Sequence, residues 1–362
     1  MRILLSTIID NINYGTYLQA FATAYLLRKK GHQVDILNYI RPHLTAKVMF
    51  SNARKHGIVS LLKVPVMIGL DAIMKRNLKR FLSTRVHLTA PFTDWIAFKK
   101  KIGGYDLYLT GSDQVWNTTH NHGIDEVYFW GGIAGKKCSY AASVGIESFP
   151  AQEQESIKKL LAEYSFISVR ESFGIDALRQ LDIPDATQVL DPTLMLDSKE
   201  WKNVTKCRFR KEEPYLLVYS VEVNKDREVL NIARKIANER GLKIYVVSPY
   251  LKFNSRLKVD KVFSMADTDT FLALFHNADY AVVSSFHGTA FAINFNRQFV
   301  TVAPERFSTR VQSILSLLNL SDRYVSNAES IPTVEIDYNR VNSRLDEERK
   351  KSADTLKKLL EA

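Results

Sequence analysis

Cysteine is almost missing from this chain: Cys138 and Cys207 are the only two in 362 residues, and neither belongs to a C-x-x-C pair. That excludes a disulfide framework and a thiolate zinc site, and it suits a reducing cytoplasm. Long apolar runs are missing too. A bilayer span needs roughly 18 apolar residues, and the nearest approach, Ile58 to Met74, is broken by Lys63, Pro65, Gly69 and Asp71. The opening Met1–Ile9 stretch meets Asp10-Asn11 too soon for a secretory signal and reads instead as a first buried strand. No short-period repeat or low-complexity tract is present. Apolar and charged contents of 46% and 25% are those of a soluble globular chain, long enough for two domains.

Acidic residues are scarce in one place. Residues 41–85 carry ten Lys/Arg (41, 47, 54, 55, 63, 75, 76, 79, 80 and 85) against Asp71 alone, while the rest holds 40 basic and 38 acidic residues. Basic side chains interleaved with Val, Met, Ile and Leu suit an anionic membrane surface or a lipid-linked diphosphate. A plain solvated basic face explains them as well. Nucleic acid is not expected, because neither a reading helix nor an aromatic-rich basic strand set accompanies the patch.

The remaining pattern alternates strand and helix. Strands are expected at Ile3–Ile9, Val34–Tyr39, Leu107–Thr110, Cys138–Ala142, Phe166–Val169 and Thr187–Leu190. Helices are expected at Thr16–Lys30, Val66–Phe81 (its start restricted by Pro65), Trp95–Lys101, Ala151–Glu163 and Ser172–Leu181. The second half repeats this with strands at Tyr215–Val221, Lys243–Val247, Tyr280–Ser284 and Phe299–Ala303. Helices fall at Arg227–Arg240, Asp269–Asn277, Thr289–Asn296, Val311–Leu318 and Asn342–Leu360. Such alternation predicts an α/β fold with parallel sheets covered on both faces. Asp191-Pro192-Thr193 is a plausible hinge.

Four polar clusters follow apolar strands, where doubly wound sheets hold ligands. Asp10–Gly15, with Asn13, Tyr14 and Gly15, allows a tight turn whose amides can meet an anion or hydroxyl, or simply a capped turn. Gly111–Asn117 groups Asp113, Gln114, Trp116 and Asn117: a carboxylate, two amides and an indole, the set a sugar ring needs. His120 and His122 nearby have no matched carboxylates and read as surface residues, so no metal is expected. Arg170 at a strand end offers a planar fork for a carboxylate or phosphate, or for an acid of the chain itself. Finally, Ser284-Ser285-Phe286-His287-Gly288-Thr289 leads into a helix, with Arg306 and Arg310 further on. Amides at Gly288 and Thr289 would hold an anion, and His287 is the only group there that exchanges a proton near neutral pH.

Together these clusters resemble the polysaccharide pyruvyl transferase family. The likeness is carried by Asn13-Tyr14-Gly15, Leu18-Gln19-Ala20, Gly31-His32-x-Val34, Gly111–Asn117 and Ser139–Gly145. Val169-Arg170-Glu171, Asp191-Pro192-Thr193 and Ser284–Thr289 complete it, in order over roughly residues 1–320. The resemblance implies two Rossmann-like domains facing a cleft, as in GT-B glycosyltransferases. Residues 1–190 would be the acceptor side and 191–340 the donor side, with a helix at 341–362 packing back. It implies phosphoenolpyruvate as co-substrate with no cofactor, and a glycan acceptor, undecaprenyl-diphosphate-linked or free. The product would be a pyruvate ketal. Where members carry Arg-Leu-His, the arginine binds donor and the histidine is the acid; here the turn reads Ser285-Phe286-His287. Donor binding is then expected from Arg170, Ser285, Gly288, Thr289 and Arg310 or Arg306. Catalysis is expected from His287 and Asp113, and acceptor binding from Asn13, Tyr14, Gly15, Gln114, Trp116 and Asn117. The setting would be cytoplasmic, or peripheral on the inner face of the membrane. Two other readings share the fold: a nucleotide-sugar glycosyltransferase and a non-catalytic glycan-binding protein.

Overall fold

Uninterrupted aliphatic runs, rather than in–out alternation, mark strands covered on both faces. Ile3, Leu4 and Leu5 have no exposed surface and form the middle of a parallel sheet. The computed structural model describes residues 1–55, 58–207, 209–221, 226–252, 257–303 and 308–362. Its first sheet has the order β3-β2-β1-β4-β5. The strands are β1 (Arg2–Ser6), β2 (Gln33–Ile36), β3 (His87–Leu88), β4 (Leu107–Thr110) and β5 (Lys137–Ser139). Ile3 stands beside Val34 on one side and Leu107 on the other. Bridges Cys138–Phe166 and Ala142–Val169 carry the edge on to the pair β6 (Ser168–Val169) and β7 (Thr187–Gln188).

The second sheet repeats the design as β10-β9-β8-β11-β12-β13, all parallel. It comprises β8 (Tyr215–Tyr219), β9 (Lys243–Ser248), β10 (Lys261–Ser264), β11 (Tyr280–Val283), β12 (Gln298–Val302) and β13 (Tyr324–Val325). Counted within itself the order is 3-2-1-4-5-6, the doubly wound arrangement of dinucleotide-binding sheets.

Helices of the first half are α1 (Tyr14–Lys29), α2 (Ala46–Lys55), α3 (Ile58–Ser83), α4 (Trp95–Lys99), α5 (Thr118–Asn121), α6 (Ala151–Leu161) and α7 (Ser172–Arg179). The second half contributes α8 (Pro192–Met195), α9 (Ser198–Val204), α10 (Asp226–Arg240), α11 (Thr268–Asn277), α12 (Phe286–Asn294), α13 (Thr309–Leu317) and α14 (Tyr338–Glu361). α1 is apolar nearly all round because it lies between the sheets. Tyr14 stacks on Phe271 at 4.3 Å, and Phe21 meets Trp201 at 5.9 Å.

Three helix starts differ from expectation by three or more residues. α3 runs through Pro65 instead of beginning after it. Pro65 is exposed, so water can take the carbonyl that its missing N–H leaves free one turn back. α12 begins three residues early, at Phe286, because extended Ser285 caps it. α14 begins at Tyr338, four before the expected Asn342, because Asp337 caps it.

Candidate active site

In each sheet the chain reverses its winding direction at one point, between β1 and β4 and between β8 and β11. Loops leaving the carboxyl ends of such strands cannot close over each other, so a crevice opens there. The two crevices face a common cavity of about 220 Å³. Asn11, Asn13, Thr16, Asp113, Gln114 and His120 form the wall from the first sheet. Val221, the turn Ser284–His287, Arg310 and Val311 form the wall from the second.

Beneath the cavity lies a buried charged network. Arg170 Nη1 donates to Asp191 Oδ2 at 2.7 Å and to Ser112 Oγ at 3.1 Å, and its guanidinium lies 4.4 Å over the Phe286 ring. Its Nη2 is 3.8 Å from Asp113 Oδ1. The other oxygen of Asp113 accepts from Thr16 Oγ1 at 2.9 Å. Asp113 holds φ at 74°, left-handed backbone that a non-glycine residue adopts at a cost. Asp191 Oδ1 accepts the amide and hydroxyl of Thr193, and its Oδ2 lies 3.9 Å from His287 Nε2. Glu171 accepts from Ser143 Oγ and the Gly145 amide.

The protonation states follow from burial weighed against these neighbours. Burial pushes Asp113 up, but Arg170 and the other cationic groups outweigh it and hold the carboxyl at about 2. Asp191 is likewise lowered against burial, chiefly by Arg170. Glu171 goes the other way: burial raises it despite Arg170. Burial drives His287 down to about 4, outweighing the pull of Asp191. Arg310 falls to about 10 through burial and the nearby Arg170. Among the described residues, His287 Nε2 and Arg170 Nε and Nη2 have no hydrogen-bond partner although buried. Native interiors rarely leave such atoms unpaired, and here they cluster.

Several expected contacts have other duties. Trp116 has no exposed surface: its Nε1 donates to Tyr128 O and its ring stacks on Phe129, so it offers no platform to a sugar. Tyr14 is buried and donates to Ala266 O. Asn117 caps α5 and donates to Gln114 Oε1. Gly15 lies against His287 rather than facing the cavity. The amides of Gly288 and Thr289 are taken by the side chain and carbonyl of Ser285. Thr289 Oγ1 is used between Ser285 O and Thr301. The first-turn amides that precede the helical ladder are those of Phe286 and His287. Arg170 underlies the cavity, whereas Arg310 lines it. Arg306 lies outside the described residues.

Asn13, Asp113, Gln114, Ser285, His287 and Arg310 do come together on the cavity walls. His120 joins them rather than sitting on the surface, and burial lowers its imidazole to about 4. Asn11, Thr16 and the charged role of Asp191 were not anticipated. Only the Asp191-Pro192-Thr193 motif carried a signal for the last. A wider cavity of about 710 Å³ adjoins, sharing Asn11 and His120 and adding Arg41, His43, Leu44, Thr119 and His122. Arg41 is already committed there to Asp10, Asn11 and Asn121. Another cavity, of about 340 Å³ between α3 and α11, lies away from this network, and its Arg85 is paired with Asp269.

The chain matches the family model described as polysaccharide pyruvyl transferase over residues 13–306. No curated protein matches it at a significant level. Among solved structures, the S. aureus MnaA–UDP co-structure aligns with a TM-score of 0.52 at 10% identity, covering 97% of this chain and 89% of that one. A putative UDP-N-acetylglucosamine 2-epimerase from Listeria monocytogenes aligns at 0.50 and 11%, covering 98% and 90%. Arabidopsis thaliana UGT89C1 complexed with UDP aligns at 0.50 and 10%, covering 98% of each. At such identity the likeness is one of fold, two Rossmann-like sheets facing a cleft in the GT-B manner.

Proposed function

The chain belongs to the polysaccharide pyruvyl transferase family, and we propose that it uses phosphoenolpyruvate to bridge two hydroxyls of one sugar as a cyclic ketal. The acceptor is a cell-surface polysaccharide or its undecaprenyl-diphosphate-linked precursor, and phosphate is released. The observation that carries this reading is the cluster of unpaired buried donors on Arg170 and His287, set beside ionised Asp113 at the mouth of two facing sheets. A small, highly charged anion with a carboxylate and a phosphate satisfies such a cluster.

Arg310 and the Phe286 and His287 amides would take one anionic group, and Arg170, whose Nε and Nη2 lack hydrogen-bond partners beneath the cavity, would attract the other. Their fixed positive charge stabilises the phosphate as it leaves. His287 is neutral in the free protein, so the donor's charge must raise its pKa before it can protonate the methylene. One sugar hydroxyl then forms a bond to C2, phosphate departs, and a second hydroxyl closes the ketal. Of the two hydroxyl protons released, one replaces that given to the methylene and the other leaves with phosphate. Asp113, held at about 2, is too weak a base to remove a hydroxyl proton early, so its role is to orient the hydroxyl. The adjoining cavity has room for the acceptor sugar.

No helix among the described residues is long and apolar enough to cross a membrane. The proposed reaction would be carried out in the cytoplasm, where phosphoenolpyruvate is made, at the inner face of the membrane that bears the acceptor. Incubation with phosphoenolpyruvate or nucleotide sugars, plus lipid-linked glycans, tests it directly. Acceptor-dependent phosphate release with a pyruvate-ketal gain in acceptor mass is expected. Nucleotide release instead would assign a glycosyltransferase.

A further inference from the structure

The outer side of α3 is not the surface a helix shows to water. Its exposed positions include Val66, Gly69, Ile73, Arg76 and Arg80, and these steps of three and four residues form one stripe. On this stripe Val66 and Ile73 are 65% and 51% exposed, while Met74, Leu78 and Phe81 are buried on another face, which Met67, 52% exposed, extends beyond the core. Phe50 and Arg54 are exposed on the neighbouring α2, which α3 packs against. Tyr250 and Leu251, also exposed, follow β9, and Tyr250 is within electrostatic reach of Asp71 on α3. Six of the nine large hydrophobic side chains exposed among the described residues therefore share this region.

The charge is as uneven as the apolar surface. Arg41 and Arg85 are spent on Asp10 and Asp269, and Lys79 donates to Asn38. Arg54 and Arg76 are exposed, in a segment whose only acid is Asp71, and Arg80, also exposed, stands at the rim of the cavity that holds Asp267 and Asp269. We propose that the α2–α3 face docks on an anionic bilayer. Phe50, Val66 and Ile73 would enter the headgroup boundary, and Arg54, Arg76 and Arg80 would lie on lipid phosphates. A second copy of the chain is a poor occupant, because the same basic face would oppose itself. His43 and Leu44, on the wider cavity beside the active site, immediately precede α2, so docking holds that cavity close to the lipid. The inference rests on the pyruvyl-transfer reading only for what the docked enzyme acts upon.

Co-sedimentation of the full chain with phosphatidylglycerol/phosphatidylethanolamine vesicles, against phosphatidylcholine vesicles, tests this without turnover. Binding at least tenfold stronger to the anionic vesicles, weakening as salt rises, is expected. Val66→Glu/Ile73→Glu and Arg76→Glu/Arg80→Glu should each lose tenfold or more with unchanged melting temperature. Val334→Glu, at a remote exposed apolar position, should bind normally. Equal or absent binding to the two vesicle types overturns the proposal, as does binding that survives both double substitutions. A dimer abolished by Ile73→Glu, without vesicle binding, also overturns it and reassigns the face. Phosphate release with a short soluble acceptor should be equal in wild type and Val66→Glu/Ile73→Glu. If wild type shows none, the pyruvyl-transfer reading fails while the docking result stands.

Discussion

A Cβ added to Gly15 would sit 2.0 Å from His287 Cγ and Nδ1. His287 is only 4% exposed, so the ring cannot simply swing aside. Gly15→Ala should therefore displace the imidazole and reduce kcat about 100-fold, with a stability loss of about 1–3 kcal/mol from overpacking. Steady-state kinetics beside a thermal melt would check it; retained kcat would make Gly15 a packing residue only. The His287 ring also predicts a pH effect. Its folded pKa, about 4, is below the unfolded value, so the unfolded chain binds the extra proton. Its contribution is present above pH 6.5 and is lost as pH falls from there toward 4, by about 3 kcal/mol. If donor binding protonates His287, phosphoenolpyruvate binding at pH 7 should take up a proton and weaken as pH rises. Calorimetry in buffers of different ionisation enthalpy would measure this; zero uptake removes the general-acid role. The sequence marks Gly15 and His287 separately, yet their contact joins residues 272 apart and no local pattern encodes it. Trp116 misleads for the same reason: an indole among amides looks like a sugar site until Tyr128 and Phe129 cover it.

At the level of elements, Arg170 ties the end of β6 to Asp191, the residue that caps α8 after β7. Both side chains are fully buried, so removing one leaves the other an uncompensated charge. Asp191→Asn or Arg170→Met alone should cost about 3–5 kcal/mol, and the apolar double variant Arg170→Met/Asp191→Leu distinctly less than their sum. Urea denaturation of all three gives the coupling; additive losses would mean the pair does not act as a unit. The long elements were legible because their periods are unambiguous: α10 covers Asp226–Arg240 where the apolar spacing predicts Arg227–Arg240. β3 and β13 have two residues each and β10 has four, too few to carry a period, and they form only because a neighbouring strand offers its edge. The start of α12 is hidden in the sequence because Gly288 reads by type as a turn before Thr289, while Ser285 reads as a cap before Phe286. Only the extended backbone of Ser285, with its Oγ on the Gly288 amide, decides between them.

On the scale of the whole molecule, the relation between the two sheets determines whether the cavity exists, and α14 is a strap across them. Its first turn reaches the second half, where Tyr338 donates to Arg297 O. Midway, Arg349 bonds Leu194 O and Asn294 Oδ1, while Ser352 Oγ accepts the Leu190 amide. Its last turn lies on the first sheet, with Leu359 O and Leu360 O accepting from Cys138 Sγ and Lys136 Nζ. Twenty-four residues rise about 36 Å, enough to span both. Leu345, Leu356 and Leu359 are buried along it, and each contributes about 1.5–3 kcal/mol. Leu356→Ala/Leu359→Ala releases only the far end, so each sheet keeps its own core. It should split one calorimetric transition into two and lower kcat/KM more than Leu345→Ala, although none of these side chains lines the cavity. A single transition with unchanged kcat/KM would mean that the sheets are held together without the strap. Alignment would then rest on α1, where Tyr14 bonds Ala266 O and stacks on Phe271.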